Sequence, residues 1–141
     1  MRRRRRPRRR RNSIPGLDIT PNVPAGRQLI RSYGSGQFHI ADTIHQGSVL
    51  VVPERTLSWP VSDVADITLD SLAPVAGEGL GVEILVLGCG PAFQAPPKRL
   101  RAALSDRGVA LEWMDTGAAC RTFNVLLAEE RACAAALIAV E

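Results

Sequence analysis

Residues 82–113 read VEILVLGCGPAFQAPPKRLRAALSDRGVALEW. The run Val82–Leu87 is almost wholly apolar, as a strand covered on both faces must be. It stops at Gly88-Cys89-Gly90-Pro91. After a loop, Pro96 and Pro97 fit the first turn of a helix, where proline is tolerated. That helix runs to about Arg107, buries Leu100, Ala103 and Leu104, and is stopped by Gly108. Val109–Trp113 is the next strand. Strand, helix and strand in so short a span make a βαβ unit with parallel strands, which fixes the class as α/β.

The following stretch, Trp113–Arg131 (WMDTGAACRTFNVLLAEER), is a helix capped by Asp115 or Thr116. Ala119, Phe123, Leu126 and Leu127 form its apolar stripe. Packing alone does not require Asp115, Thr116, Arg121, Thr122 and Asn124 to crowd its first three turns. These residues, with Gly88, Cys89 and Gly90, form the candidate site. Its structural reading is capping plus an Arg–Asp tie. Its functional reading is an anion or partner site in a pocket between the glycine turn and the helix start, because N–H groups, a hydroxyl and an arginine converge there. Ala132–Val140 reads equally as helix or buried strand.

Upstream, residues 12–26 are rich in Pro, Gly, Asn and Ser and read as an extended linker. Tyr33-Gly34-Ser35-Gly36 is a flexible turn leading into Gln37–Ala41, which alternates as a half-buried strand does. Asp42–Thr43 is a turn. Ser48–Val52, ending at Pro53, is the second strand of an N-terminal antiparallel pair. Trp59 is a core plug. Ser62–Val64 and Thr68–Ala73 are short helical turns, the latter ended by Pro74. The expected organisation is a tail and linker over 1–28 and a single α/β domain over 29–141.

Known catalytic signatures are missing. Gly88-Cys89-Gly90 after a strand, with Glu112 near the end of the next, matches a dinucleotide fingerprint only in part. The third glycine is absent, and Pro96-Pro97 hinders the helix approach, so the glycines read better as a sharp turn. Cys89 between them is expected to be accessible, and His39 or His45, distant in sequence, are the histidines that could approach it in space as a base. Those two histidines do not form a metal-ligand cluster, and no cofactor is expected. The chain has no nucleophile elbow, phosphate-binding lysine loop or H-E-x-x-H.

The net charge of +4 conceals two opposites. Arg2–Arg6 and Arg8–Arg11 supply nine of 18 basic residues, leaving an acidic remainder of nine basic and 14 acidic side chains. The run suits nucleic acid or anionic lipid through counterion release. It lacks the interleaved aromatics that stack on bases, so it reads as a solvated tail, or as a start placed too far upstream. Apolar runs fall short of the ~20 residues of a membrane span. Three cysteines with no C-x-x-C pair and no export signal read as reduced thiols in a cytosolic setting.

The order of landmarks resembles one family. They are Tyr33-Gly34, the Phe38–Ile40 strand, Ser48–Val52 with Pro53, Trp59, the strand into Gly88-Cys89-Gly90, Met114-Asp115-Thr116, Ala118–Leu127 and Glu129-Glu130-Arg131. The family is that of the mitochondrial respiratory complex I assembly factor 3 and the adipogenesis-associated domain protein, a domain of unknown function in bacteria. Cys89 stands where relatives commonly carry Thr, and Phe123 where they carry Tyr, so two hydroxyls are lost. The arginine run has no counterpart. The resemblance implies a three-layer α/β/α fold around a mixed sheet, with Ala132–Val140 as its last strand. It also implies a non-enzymatic assembly role with protein partners, respiratory-complex subunits among them. The implied setting is the cytoplasm, or the mitochondrial matrix for eukaryotic relatives. It supplies no catalytic residue. The alternative is a small-ligand or anion-binding protein, or an enzyme, using the pocket named above.

Overall fold

A computed structural model describes residues 26–77 and 79–141. The arginine run and most of the linker lie outside the described residues. The chain forms β1 (Ile30–Gly34), β2 (Gln37–Ile40), β3 (Thr43–Gln46), β4 (Val49–Val52), β5 (Arg55–Ser58), β6 (Ile84–Gly88), β7 (Ala110–Met114) and β8 (Cys133–Leu137). Its helices are α1 (Ala73–Ala76), α2 (Leu100–Ser105) and α3 (Thr116–Ala128), with 3-10 turns at Val64–Asp66 and Asp70–Leu72. β1–β2–β3 make a three-stranded antiparallel sheet, and the order β5-β4-β8-β6-β7 makes a five-stranded mixed one. β6 runs parallel to both β7 and β8, whereas β4 is antiparallel to β5 and β8.

The βαβ unit expected over 82–113 is present. Its side chains alternate between two cores, as strand geometry dictates. Leu85 and Leu87 of β6, with Ala134 and Ala136 of β8, face α2, the 3-10 turns and Trp59. Val86, Cys133, Ala135 and Leu137 face α3 and the three-stranded sheet. The fold is thus a three-layer α/β arrangement around a mixed sheet. β8 settles the ambiguity of Ala132–Val140: every residue of Cys133–Leu137 is buried, because the strand sits third of five with layers on both faces.

Several local expectations are corrected. Residues 37–40 do not pair with 49–52; they pair with β1 and β3, and β4 joins the other sheet. The tight connection is instead Ser35-Gly36 between β1 and β2. Both residues have positive φ (54° and 75°), as a two-residue hairpin with right-handed strand twist requires. Tyr33 and Gly34 therefore belong to a strand. The predicted turn at Thr43 is the start of β3, whose TIHQ is half-buried to exposed, so burial gave it no apolar alternation to read. Residues 55–58, also β-paired, are an edge strand with the same weak signal.

α2 begins at Leu100, past both prolines. A residue before proline avoids the helical region, so Ala95 and Pro96 resist helix, and Arg99 turns the chain with φ 70°. Pro74 does not end its turn; it lies in the first turn of α1, where its missing N–H costs no hydrogen bond. Trp59 is the plug expected, 2% exposed, with Nε1 donating to the Ser71 carbonyl at 3.0 Å.

Gly88 lies where β6 meets α3. A Cβ there would stand 2.8 Å from the Thr116 Cα and 3.2 Å from the Ala119 Cβ. We predict that Gly88→Ala lowers unfolding free energy by about 2–3 kcal/mol through overpacking against backbone. Gly90→Ala, with open space but φ +115°, loses about 1–2 kcal/mol through backbone strain alone. Urea denaturation of the two variants checks both values.

Candidate functional site

Asp115 caps α3: its Oδ1 accepts from the Ala118 N–H at 2.9 Å. Thr116 follows, fully buried, with its polar groups all engaged. Its backbone N–H donates to the Gly90 carbonyl at 2.9 Å. Its Oγ1 accepts from the Gly90 N–H at 3.0 Å and donates to the Ile138 carbonyl at 2.8 Å. The Ile138 N–H in turn donates to the Gly88 carbonyl, and Cys89 N–H to that of Met114. One hydroxyl therefore bridges the turn after β6 to the residue just past β8.

Gly88, Gly90, Asp115 and Thr116 are thus brought together, but face to face. They are held in direct contact by these hydrogen bonds. The hydroxyl at the helix start is satisfied by the fold.

Cys89 is not accessible, contrary to expectation. It is 1% exposed and packs in the core on the α2 side, with Sγ 3.6 Å from the Ala92 carbonyl. His39 and His45 lie on β2 and β3, which pack over the opposite face of the five-stranded sheet. The sheet separates that cysteine from both histidines, and the Cys–His pairing falls. Among the described residues no group of His, Cys, Asp and Glu is arranged to hold a metal.

The remaining site residues sit further along α3. Arg121 begins about 7.5 Å beyond Thr116 along the helix axis. It is exposed, and with Arg31, Ser32, Tyr33 and Asn124 it borders a shallow hollow of about 400 Å³ between β1 and α3. Thr122 donates to the Met114 Sδ at 3.3 Å. Asn124 makes two hydrogen bonds to one residue: Oδ1 accepts from the Ile30 N–H at 2.9 Å, and Nδ2 donates to the Ile30 carbonyl at 2.8 Å. Asn124 therefore docks β1 onto α3. Tyr33 covers Gly117, where a Cβ would stand 2.5 Å from the tyrosine hydroxyl.

Sequence reasoning missed the loop after the turn. Pro91–Ala95 is exposed throughout, and Phe93 is 66% exposed. Trp113 Nε1 donates to the Gln94 carbonyl at 2.6 Å, so the loop is pinned while its aromatic stays in solvent. The available signal was a phenylalanine flanked by proline and alanine with no apolar period around it.

Cys120 lies on the buried face of α3. Burial pushes its thiol up to about 12, against a smaller downward pull from Arg121 and an upward one from Asp115.

Residues 30–138 match the family described as protein of unknown function (DUF498/DUF598). An uncharacterized protein of Rhodobacter capsulatus is 38% identical over 122 residues, covering 85% of this chain and 93% of that protein. The NADH dehydrogenase [ubiquinone] 1 alpha subcomplex assembly factor 3 of Xenopus tropicalis is 38% identical over 110 residues. That match takes 78% of this chain but 60% of the frog protein's length. The crystal structure of an outer membrane protein from Bartonella henselae superposes with a TM-score of 0.75 at 39% identity, covering 83% of this chain and 98% of that one.

Two outcomes follow from the geometry. Thr116→Val keeps the shape but strands the Gly90 N–H and the Ile138 carbonyl, for a loss of about 2–4 kcal/mol in chemical denaturation. The Cys120 thiol stays protonated in the fold up to about 12, whereas the unfolded thiol ionises from 9.0. Its contribution is therefore complete below pH 9.0 and is lost as pH rises toward about 12, at up to about 1.4 kcal/mol per pH unit. Cys120→Ala flattens this alkaline slope in denaturant melts taken from pH 8 to 11.

Proposed function

Because this chain belongs to the DUF498/DUF598 family, we propose that it is a non-enzymatic accessory factor in the assembly of a respiratory NADH dehydrogenase, acting by protein–protein contact. The names of the assembly-factor relatives support the role. The observation that carries the mechanism is the pinned loop Pro91–Ala95. A solvent-exposed aromatic on a held backbone loses little conformational entropy when it enters a partner's pocket, the usual character of an interface anchor. Gly88–Gly90 and the start of α3 form the rigid base beneath that loop, and in this reading their role is to set its direction. Among the described residues no helix is long and apolar enough to cross a membrane. The reading places the chain in the cytoplasm, working on the complex's subunits from that side. It covers one domain, residues 29–141.

The test uses the full chain, crosslinked in cells and affinity-purified. Subunits or partial assemblies of NADH dehydrogenase are expected to co-purify. Phe93→Glu is expected to lose them while its thermal midpoint is unchanged. Equal recovery by Phe93→Glu overturns the loop as the contact. Membrane NADH dehydrogenase activity that is unaltered when the chain is removed overturns the assembly role itself.

A further inference from the structure

The far end of the five-stranded sheet, where β6 and β8 begin, holds a half-open cleft of about 410 Å³. It lies between the β4–β5 turn, Pro74 of α1, residues 80–82 and residues 130–133. Its volume is that of a small-molecule site. Val52, Pro74, Leu80, Val82 and Cys133 give it an apolar wall. Leu80 is 49% exposed, so its apolar surface stands in the cleft with little to cover it. Arg27, Arg55 and Arg131 line it together with Glu54 and Glu130, and Arg131 Nη1 lies 3.7 Å from the Glu129 carboxylate.

Arg27 is the decisive residue. Its Nε is buried and has no hydrogen-bond partner among the described residues. The nearest carboxylate, Glu54, stands 3.7 Å from Nη1, too far for a hydrogen bond, and its own side chain is 73% exposed. A buried N–H without an acceptor costs about 1–3 kcal/mol, a penalty that an incoming acceptor removes. Guanidinium receives a carboxylate through two parallel N–H donors, Nε among them.

We infer that this cleft binds a small organic carboxylate with an apolar body. The unpartnered Nε edge of Arg27 matches one carboxylate, which guanidinium receives through two parallel donors. The apolar wall matches the body. Cys133, 1% exposed, is no nucleophile for it: burial raises its thiol against the opposing pull of Arg27 and Arg131. The site therefore binds without a covalent step. It is independent of the Phe93 loop, which lies at the other end of the sheet.

The test is a titration of the full chain with octanoate, followed by calorimetry and by amide NMR. Saturable one-site binding is expected, with the amides of Gly81, Val82, Arg131 and Ala132 shifting. Arg27→Gln is expected to weaken it by about tenfold or more. Leu80→Asp, at an exposed position, is expected to abolish it and serves if Arg27→Gln does not fold. Neither 1-octanol nor inorganic phosphate should compete. Absent saturation, equal binding of octanol or phosphate, or undiminished affinity in both variants overturns the proposal. Loss of octanoate binding with partner capture intact separates this site from the Phe93 surface.

Discussion

The Thr116 hydroxyl is the point on which the two halves of the molecule turn. It accepts from the turn after β6 and donates to the residue after β8, 22 positions downstream. It reaches both because Gly88 has no side chain to hold the helix away. Without that approach α3 would have to lift from the sheet, and the core of Ala119, Phe123 and Leu127 against Val86 and Ala135 would open. Asp115 and Thr116 at this end of the helix, with Asn124 further along, therefore fasten a layer. Thr116, the buried one among them, is tolerated because its N–H and hydroxyl both find partners.

This explains what the sequence made legible. The βαβ unit could be read because β6 is buried on both faces and so is uniformly apolar, and because Gly108 marks the helix end. The Asp115 cap and the stripe of α3 are local signals, and they hold. Asn124 could be flagged as out of place on that stripe. Its partner, Ile30, is 94 residues away, and no local pattern names it. β3 and β5 were missed for the converse reason. Edge strands with little burial carry no alternation, so only pairing with a neighbour makes them visible. The resemblance to a family supplied what periodicity left open, the last strand.

The two ends of the mixed sheet differ in kind. At the carboxyl ends of β6, β7 and β8, where open α/β sheets usually place ligands, the glycine turn and the start of α3 meet in direct contact. What remains outside is a pinned hydrophobic loop. At the opposite end the packing is incomplete, and charge and apolar surface coexist around an Arg27 Nε that has no hydrogen-bond partner among the described residues. Convergence of polar residues in sequence pointed to the first end. The second is assembled from five segments far apart in the chain, around residues 27, 52–55, 74, 80–82 and 130–133, so sequence proximity has nothing to report.

Asn124 has a further consequence. Its amide offers Ile30 one donor and one acceptor, the same pair that a neighbouring backbone would present. It acts as a one-residue imitation strand at the outer border of β1. An invading peptide, or a second copy of the sheet, finds that rung already occupied. The molecule thus guards a border against runaway intermolecular pairing with a side chain borrowed from a helix, and no additional strand is required to do it.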